Sequence, residues 1–500
     1  MNASPVGAGH PSDPLLAHGT MIIFLTVGAV LGLLLSLALG PKATLAGDRS
    51  GDPRLVSDVE AAIGDPGGLG AVSVARLADG SVTYAGLGRT GDRAPTPQSP
   101  YELGSITKTF TGMLLADAVE RREVQLSDPV AAYVTELAST PAGASTLQQL
   151  ATHTSGLPTL PPDLALGRAA KVLRNLDPDA EWTTERVIRS AKQTPVGTRG
   201  TYAYSNLGMS LLGHALARGA GVDSWQQLAQ QRLFDPLGMT STTFLDGGAA
   251  EPPGLAQPHR ASGWPAHTWT SQGFAPAGAS TRTTAQDMMR FARAVVDGKA
   301  PGRGALKTTT RATDRLRIGL AWHALVAEEG STVVWHNGGT GGTRTMLAVD
   351  LKTKEAVLVL NSSSRSVDGL AVDLLVAGRT GVTARPDTPP LPVVGLLALG
   401  VALLCLVSLA VRAVRSRDRV HVLTGWVDGV TGAVLAVVHG PWSWLPGWLV
   451  GVLAGLTVGF VVVGARRLPG LPTWPERRRV FAVIGLVLDM VVFGLVVVTA

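Results

Sequence analysis

The 500-residue sequence predicts two units in series: a mixed α/β domain whose sheet joins the two ends of its own segment, then a helical membrane domain. Three observations carry this. Strand-like segments flank a polar central region with helical periodicity between them. Long uncharged apolar runs lie outside that region and none lies within it. Nearly all the acidic residues fall within roughly 50–385.

In chain order, a tail of residues 1–20 precedes MIIFLTVGAVLGLLLSLALG (21–40), a run long enough to span a bilayer as an anchor or to serve as a signal sequence. Ala43-Thr44-Leu45-Ala46 is a weak cleavage candidate. Residues 70–77 and 81–87 alternate in polarity and join through Asp79-Gly80, which predicts a hairpin. Residues 89–100 read as a loop. From Ser105 onward Ile106, Phe110, Met113 and Leu114 fall at helical spacing, and helical signals recur at 146–151, 184–192 and 205–218. Residues 156–162 and 246–278 are Pro/Gly-rich loops. Residues 331–335, 345–350 and 356–361 read as strands. The domain is expected over 50–380, with a Pro-rich linker at 381–391. Membrane spans are expected at 391–411, 421–439 (the weakest), 446–464 and 480–500.

The net charge of +6 does not point to nucleic acid, because of where it sits. The loops 412–419 and 466–479 hold nine arginines against Asp418 and Glu476, which leaves the rest of the chain at about −1. Short arginine-rich loops stay cytoplasmic. The reading is therefore a multi-pass protein of the cell membrane, with the central domain facing away from the cytoplasm and the lipid bilayer as a partner. The single cysteine, Cys405, lies in a predicted span, so neither an internal disulfide nor thiol ligation of metal is expected. His259, His267 and His323 show no ligand spacing.

The stretch GSITKTFT (104–111) places Ser105 and Lys108 three apart at the start of a helix, on one face. A serine hydroxyl is a poor nucleophile until a base or a nearby charge eases its proton loss. A helix N-terminus adds N–H groups aimed at developing negative charge. By itself this spacing is weak, and Ser105 as a helix cap beside a solvated Lys108 is the better explanation of it alone. Two further motifs change the weighting: Tyr204-x-Asn206 ahead of a helix, and His336-x-Gly338 at the end of a strand.

Ser-x-x-Lys, Tyr-x-Asn and His-x-Gly in that order resemble the serine hydrolases of the class C β-lactamase and penicillin-binding-protein family. Phe110 to Val134, TLQQLATHTSGLP (146–158) and Pro195 to Gly213 match other segments of that family, so the resemblance covers roughly 55–380. It implies an antiparallel sheet flanked by helices, a helical subdomain between the first motif and the last strands, and the site between the two. It also implies an acyl-enzyme on Ser105, Lys108 as a neighbouring positive charge, and Tyr204 as general base and then acid. Asn206 would contact a substrate amide or orient Lys108, and the N–H groups of Ser105 and Gly339 would form an oxyanion hole. A phenol ordinarily titrates near 10, so Tyr204 needs cations beside it, and Lys108 and His336 are the candidates.

Many members of the family carry Lys-Thr-Gly where this chain has His336-Asn337-Gly338. A histidine makes carboxylate recognition weaker and favours an ester or D-amino-acyl amide over efficient β-lactam hydrolysis. The expected partner is a small-molecule or peptide substrate, with no metal and no organic cofactor. The Gly-rich run 338–342 lacks the lysine and following helix of a phosphate-binding loop and reads as a turn over the site. His153 reads as a buried, hydrogen-bonded structural residue, and Tyr202 as packing. Asp428 and Asp489 lie inside predicted spans and read as helix–helix contacts rather than a solute path. Two other classes stay open: a sensor that binds peptidoglycan or β-lactam without turnover, and a transporter or lipid-handling unit with the hydrolase as accessory.

Overall fold

The run Ala356-Val357-Leu358-Val359-Leu360 has no polar alternation because both faces of its strand are covered. Leu358 and Leu360 enter one hydrophobic cluster, with Phe110, Met113 and Leu347, while Val357 and Val359 enter a second, with Leu55, Val59, Ala371 and Leu374. The computed structural model describes residues 14–39, 45–173, 175–245, 250–261, 263–307, 310–313, 316–326, 332–376, 393–439 and 448–472. These form two compact units, Lys42–Pro389 and a second built from Met1–Pro41 with Pro390–Ala500.

The first unit has twelve strands among the described residues: β1 Arg49–Gly51, β2 Val72–Ala78, β3 Ser81–Leu87, β4 Pro100–Glu102, β5 Thr243–Phe244, β6 Thr281–Thr284, β7 Thr310–Arg311, β8 Leu316–Ile318, β9 His323–Val326, β10 Thr332–Gly339, β11 Arg344–Asp350 and β12 Glu355–Asn361. Nine form one antiparallel sheet in the order β1-β3-β2-β12-β11-β10-β9-β8-β7, and β4-β6-β5 form a small second sheet. The predicted hairpin is β2–β3, with Asp79 and Gly80 both at positive φ as its tight turn requires. The predicted joining of both ends is the β2–β12 pair. The strand predicted at 331–335 runs on to Gly339, with the His-x-Gly motif at its end as expected.

Helices Pro53–Ile63 and Asp368–Val376 cover one face of the sheet, and Ala285–Val296 packs on the other. Beyond that face lies a helical part with Thr107–Glu120, Leu147–Ala151, Pro162–Leu173, Thr184–Gln193, Asn206–Gly219 and Trp225–Ala229. Thr107–Glu120 is buried on all sides from Thr107 to Ala118, which marks a central helix rather than a surface one. Phe110, Met113 and Leu114 are fully buried, at about 1.5–3 kcal/mol of transfer free energy each.

In the second unit, three helices among the described residues are long and apolar enough to cross a membrane: Gly19–Leu37, Leu396–Arg415 and Trp448–Gly470. The weak candidate at 421–439 forms a helix, Arg419–His439, that is not among those three. The candidate at 480–500, with Asp489, and the linker lie outside the described residues. Helix Pro14–Leu39 runs antiparallel to Trp448–Arg467, since Gly28 faces Gly455 and Gly32 faces Gly451. A side chain at any of these four would collide with the opposing backbone carbonyl. Asp428 accepts a hydrogen bond of 2.6 Å from Ser408 and lies 3.6 Å from Arg412, both on the preceding helix, the partners of a helix–helix contact.

Candidate active site

The turn that carries Ser105 forms because Gly104 adopts φ +63, which a β-carbon would disfavour and which lets the turn press against the end of β10. A methyl on Gly104 would lie 2.5 Å from the Gly339 nitrogen. A 3-10 turn, Gly104–Ile106, then leads into helix Thr107–Glu120, so the helix begins two residues later than its periodicity suggested. Three hydrogen bonds fix this start: Thr345 Oγ1 to the Leu103 carbonyl at 2.7 Å, Thr107 Oγ1 to Thr281 Oγ1 at 2.9 Å, and Thr111 Oγ1 to the Pro276 carbonyl at 2.8 Å.

Lys108 is completely buried, which excludes the solvated reading of its side chain. Its Nζ donates to Ser105 Oγ at 2.8 Å and to the Ala277 carbonyl at 2.6 Å, and stands 4.9 Å from the centre of the Tyr204 ring. An unpaired ammonium costs several kcal/mol to bury. That desolvation, with Arg168 adding repulsion, holds the Lys108 amine well below the usual lysine range.

Burial pushes the Tyr204 phenol up, while the nearby Ser105 side chain works to lower it. Tyr204 precedes helix Asn206–Gly219, capped by Ser205, whose Oγ accepts from Gly208 N at 2.8 Å. His153 fixes the segment from both flanks: its carbonyl accepts from Ala203 N at 2.8 Å and its Nδ1 from Ser205 N at 3.2 Å. Its ring packs on Tyr204 at 4.6 Å, so the residue read as structural is a support for the phenol. Tyr202 meets the His153 ring edge-on, at 6.1 Å.

Asn206 Oδ1 is buried with no partner among the described residues, and Lys108 takes the Ala277 carbonyl, which sequence reasoning missed because a backbone oxygen leaves no side-chain signal. His336 is fully buried; its Nδ1 lies 2.6 Å from the Asn337 carbonyl and its Nε2 has no partner among the described residues. Asn337 turns to the opposite face of β10 and donates to Asp368 at 2.7 Å. His323 stacks on His336 at 4.9 Å. Burial, then the neighbouring His323 and Lys108, hold His336 well below the usual histidine range, so the charge that the sequence reading allowed it is absent at neutral pH. Gly338 packs against the Leu103 carbonyl and Thr345 with no room for a side chain, and Gly339 abuts the Ser105 turn.

The structure therefore brings Ser105 and Lys108 into direct contact with the Tyr204 ring beside them, puts Gly338 and Gly339 against the turn that carries Ser105, and sets His336 within electrostatic reach of Lys108. Among the described residues no group of three or more His, Cys, Asp or Glu side chains is arranged to hold a metal ion.

A family model described as Beta-lactamase matches residues 56–378. A β-lactamase of Escherichia coli (strain K12) is 37% identical over 151 residues, 29% of this chain and 35% of that protein. The D-alanyl-D-alanine-carboxypeptidase/endopeptidase AmpH of the same organism is 31% identical over 153 residues, 30% of this chain and 38% of that protein. The chain thus spans just over a third of the length of these curated relatives. Among solved structures, a class C β-lactamase superposes with a TM-score of 0.56 at 20% identity, covering 65% of this chain and 96% of the other. The class C β-lactamase of Rhodobacter sphaeroides gives 0.52 at 22%, covering 62% and 94%. The fold is the β-lactamase/transpeptidase type, an antiparallel sheet with helices. With its family model matched over more than half its length, the chain belongs to the Beta-lactamase family.

Proposed function

We propose that the chain is a membrane-anchored serine hydrolase that acylates Ser105, with its hydrolase unit on the extracytoplasmic side. The observation that carries this reading is the 2.8 Å contact between Ser105 Oγ and a fully buried Lys108 amine. A depressed amine pKa makes the neutral, proton-accepting form of Lys108 easier to populate beside the hydroxyl. Ser105 Oγ attacks the substrate carbonyl while its proton passes to Lys108. The carbonyl oxygen takes up negative charge facing the Ser105 and Gly339 amides. As the tetrahedral intermediate collapses, Tyr204 gives its proton to the leaving group and recovers one from Lys108. Water then repeats the sequence on the acyl-enzyme. The sequence reading made Tyr204 the first base; its raised pKa and the lowered one of Lys108 favour this order of transfer instead.

The substrate is an ester, a D-amino-acyl peptide or a β-lactam-like amide. The named activities of the β-lactamase and carboxypeptidase relatives support this range. A neutral His336 recognises a substrate by hydrogen bonding rather than by pairing with a carboxylate, which supports the ester and D-amino-acyl amide.

The second unit supports the placement. Arg467 donates to the carbonyls of Ala413 at 2.8 Å and Ser416 at 3.1 Å, so the arginine-bearing ends of two helices meet. Arg466 stacks over Phe24 at 4.4 Å, in the first half of the first helix. With that end cytoplasmic, the Leu39 and Val393 ends, which lead into the hydrolase unit, lie on the other side.

The test is intact-protein mass spectrometry after exposure to a fluorophosphonate, a penicillin and an activated ester, with Ser105→Ala alongside. An adduct that Ser105→Ala abolishes and that turns over with the ester is expected. An adduct that never turns over would replace the enzyme with a binding sensor, and no adduct on folded protein would sink the acyl-enzyme. Protease applied to spheroplasts is expected to digest the hydrolase unit; protection would reverse its placement.

A further inference from the structure

The turn that follows β10 is clamped by two residues of opposite charge. Glu102 is 1% exposed. Its Oε2 accepts from Thr340 Oγ1 at 2.7 Å and Thr343 Oγ1 at 3.1 Å, and its Oε1 accepts from Trp269 N at 2.8 Å. Arg344, opposite Gly339 in the register, donates from NH1 to the carbonyls of Thr340 and Thr343, both at 2.8 Å. Thr340 N donates to the Thr343 carbonyl at 3.1 Å and closes the turn. The acid holds the hydroxyls and the base holds the carbonyls of the same two threonines.

Glu102 is itself held. It lies on β4, paired in register with Arg282 on β6, whose guanidinium stands 3.6 Å from Oε1 and is anchored by Glu251 at 2.8 and 3.1 Å and by the Trp269 carbonyl at 2.9 Å. Glu102 also stands two residues before Gly104 and three before Ser105. Thr340 follows Gly339 directly. One buried carboxylate thus joins the strand that delivers the nucleophile to the turn that delivers the Gly339 amide.

We infer that Glu102 is a positioning residue for the proposed acyl transfer, fixing the separation between the Ser105 and Gly339 amides through its hydrogen bonds to Thr340 and Thr343. The inference rests on the acyl-enzyme reading above. It concerns the transition state, because the distance between two amides matters most once the carbonyl oxygen carries charge. A buried carboxylate with this many partners is also a structural element, so the test must separate the two roles.

Full-length protein in detergent serves, as wild type, Glu102→Gln, Thr340→Val and Ser105→Ala. Three quantities are read: kcat and KM for an activated ester, the affinity of a phenylboronic acid, whose boron takes Ser105 Oγ and places an oxygen where the oxyanion forms, and Tm. Glu102→Gln is expected to lower kcat by about ten- to a hundredfold, the range for a displacement of up to about 1 Å at the reacting atoms. KM stays nearly constant, and boronate affinity falls by the same factor as kcat. Thr340→Val, which leaves Glu102 and Arg282 in place, follows the same pattern more weakly and decides the matter if Glu102→Gln does not fold. Unchanged kcat in folded variants overturns the inference, as does a loss that moves KM and leaves boronate affinity alone. A wild type that neither turns over ester nor labels at Ser105 overturns the acyl-enzyme reading itself, and with it any role of Glu102 in acylation.

Discussion

Lys108 rests its buried amine on the carbonyl of Ala277, 2.6 Å away, and that contact aims the same nitrogen at Ser105. In the proposed acyl transfer, removing the amine leaves the hydroxyl with no base. Lys108→Ala is expected to lower kcat/KM by about 10³-fold or more, equivalent to ~4 kcal/mol. The fluorophosphonate labelling rate of Ser105 falls in step. A Lys108→Ala variant that labels at the wild-type rate would remove the base assignment.

In the proposed mechanism, the depressed pKa of Lys108 sets the pH dependence of acylation. The active form is the neutral amine, so the rate falls as pH drops through the amine's pKa. That midpoint lies well below the ~10.4 of free lysine, because burial favours the uncharged form. Labelling rate against pH checks this, and a midpoint at or above the free value contradicts it.

Acid destabilises the hydrolase unit through its neutral histidines. Burial lowers His214 and His323 to about 4, and holds His153 and His336 well below the ordinary value. Below about 6.5 the unfolded chain binds protons that the folded state refuses, so stability falls with pH. Each group contributes up to about 1.4 kcal/mol per pH unit between its two pKa values. A Tm that declines steadily from neutral pH towards pH ~4 is expected; a flat profile rules the effect out.

The glycine contact between the first and last described long helices admits no side chain. Gly32→Leu meets the Gly451 carbonyl and is expected to cost about 1–3 kcal/mol of packing. Gly19→Leu, with open space around it, serves as the control. Detergent thermal melts of the two variants decide between them, and equal melting temperatures would leave the contact without energetic weight.

Much of this centre was legible in the sequence because its parts are local. Ser105 and Lys108 share one helical turn, and Tyr204 sits one residue before a serine cap. The β2–β3 hairpin and β10, β11 and β12 were equally visible, as alternation or unbroken apolar runs. What stayed hidden was assembled across the chain. Ala277 offers only a backbone oxygen, and His323 gains its place from the pairing of β9 with β10. Glu102 stands beside the nucleophile motif yet points away to a turn 238 residues on. The neutrality of His336 is a property of burial, which no spacing encodes. The short strands β4, β5 and β6 carry too few residues for periodicity to register.

The pairing of Val72 with Asn361 also orders events during synthesis. About 290 residues separate the two, which a ribosome adds in roughly 15–60 s at about 5–20 residues per second. For that interval the early hairpin has a bare edge, open to the wrong neighbour. Ser105 likewise waits for Gly339, so a truncated chain ending short of β10 carries the nucleophile with half of its surroundings missing. Of the parts placed around Ser105 in the proposed acyl transfer, the Gly339 amide is the last to be made.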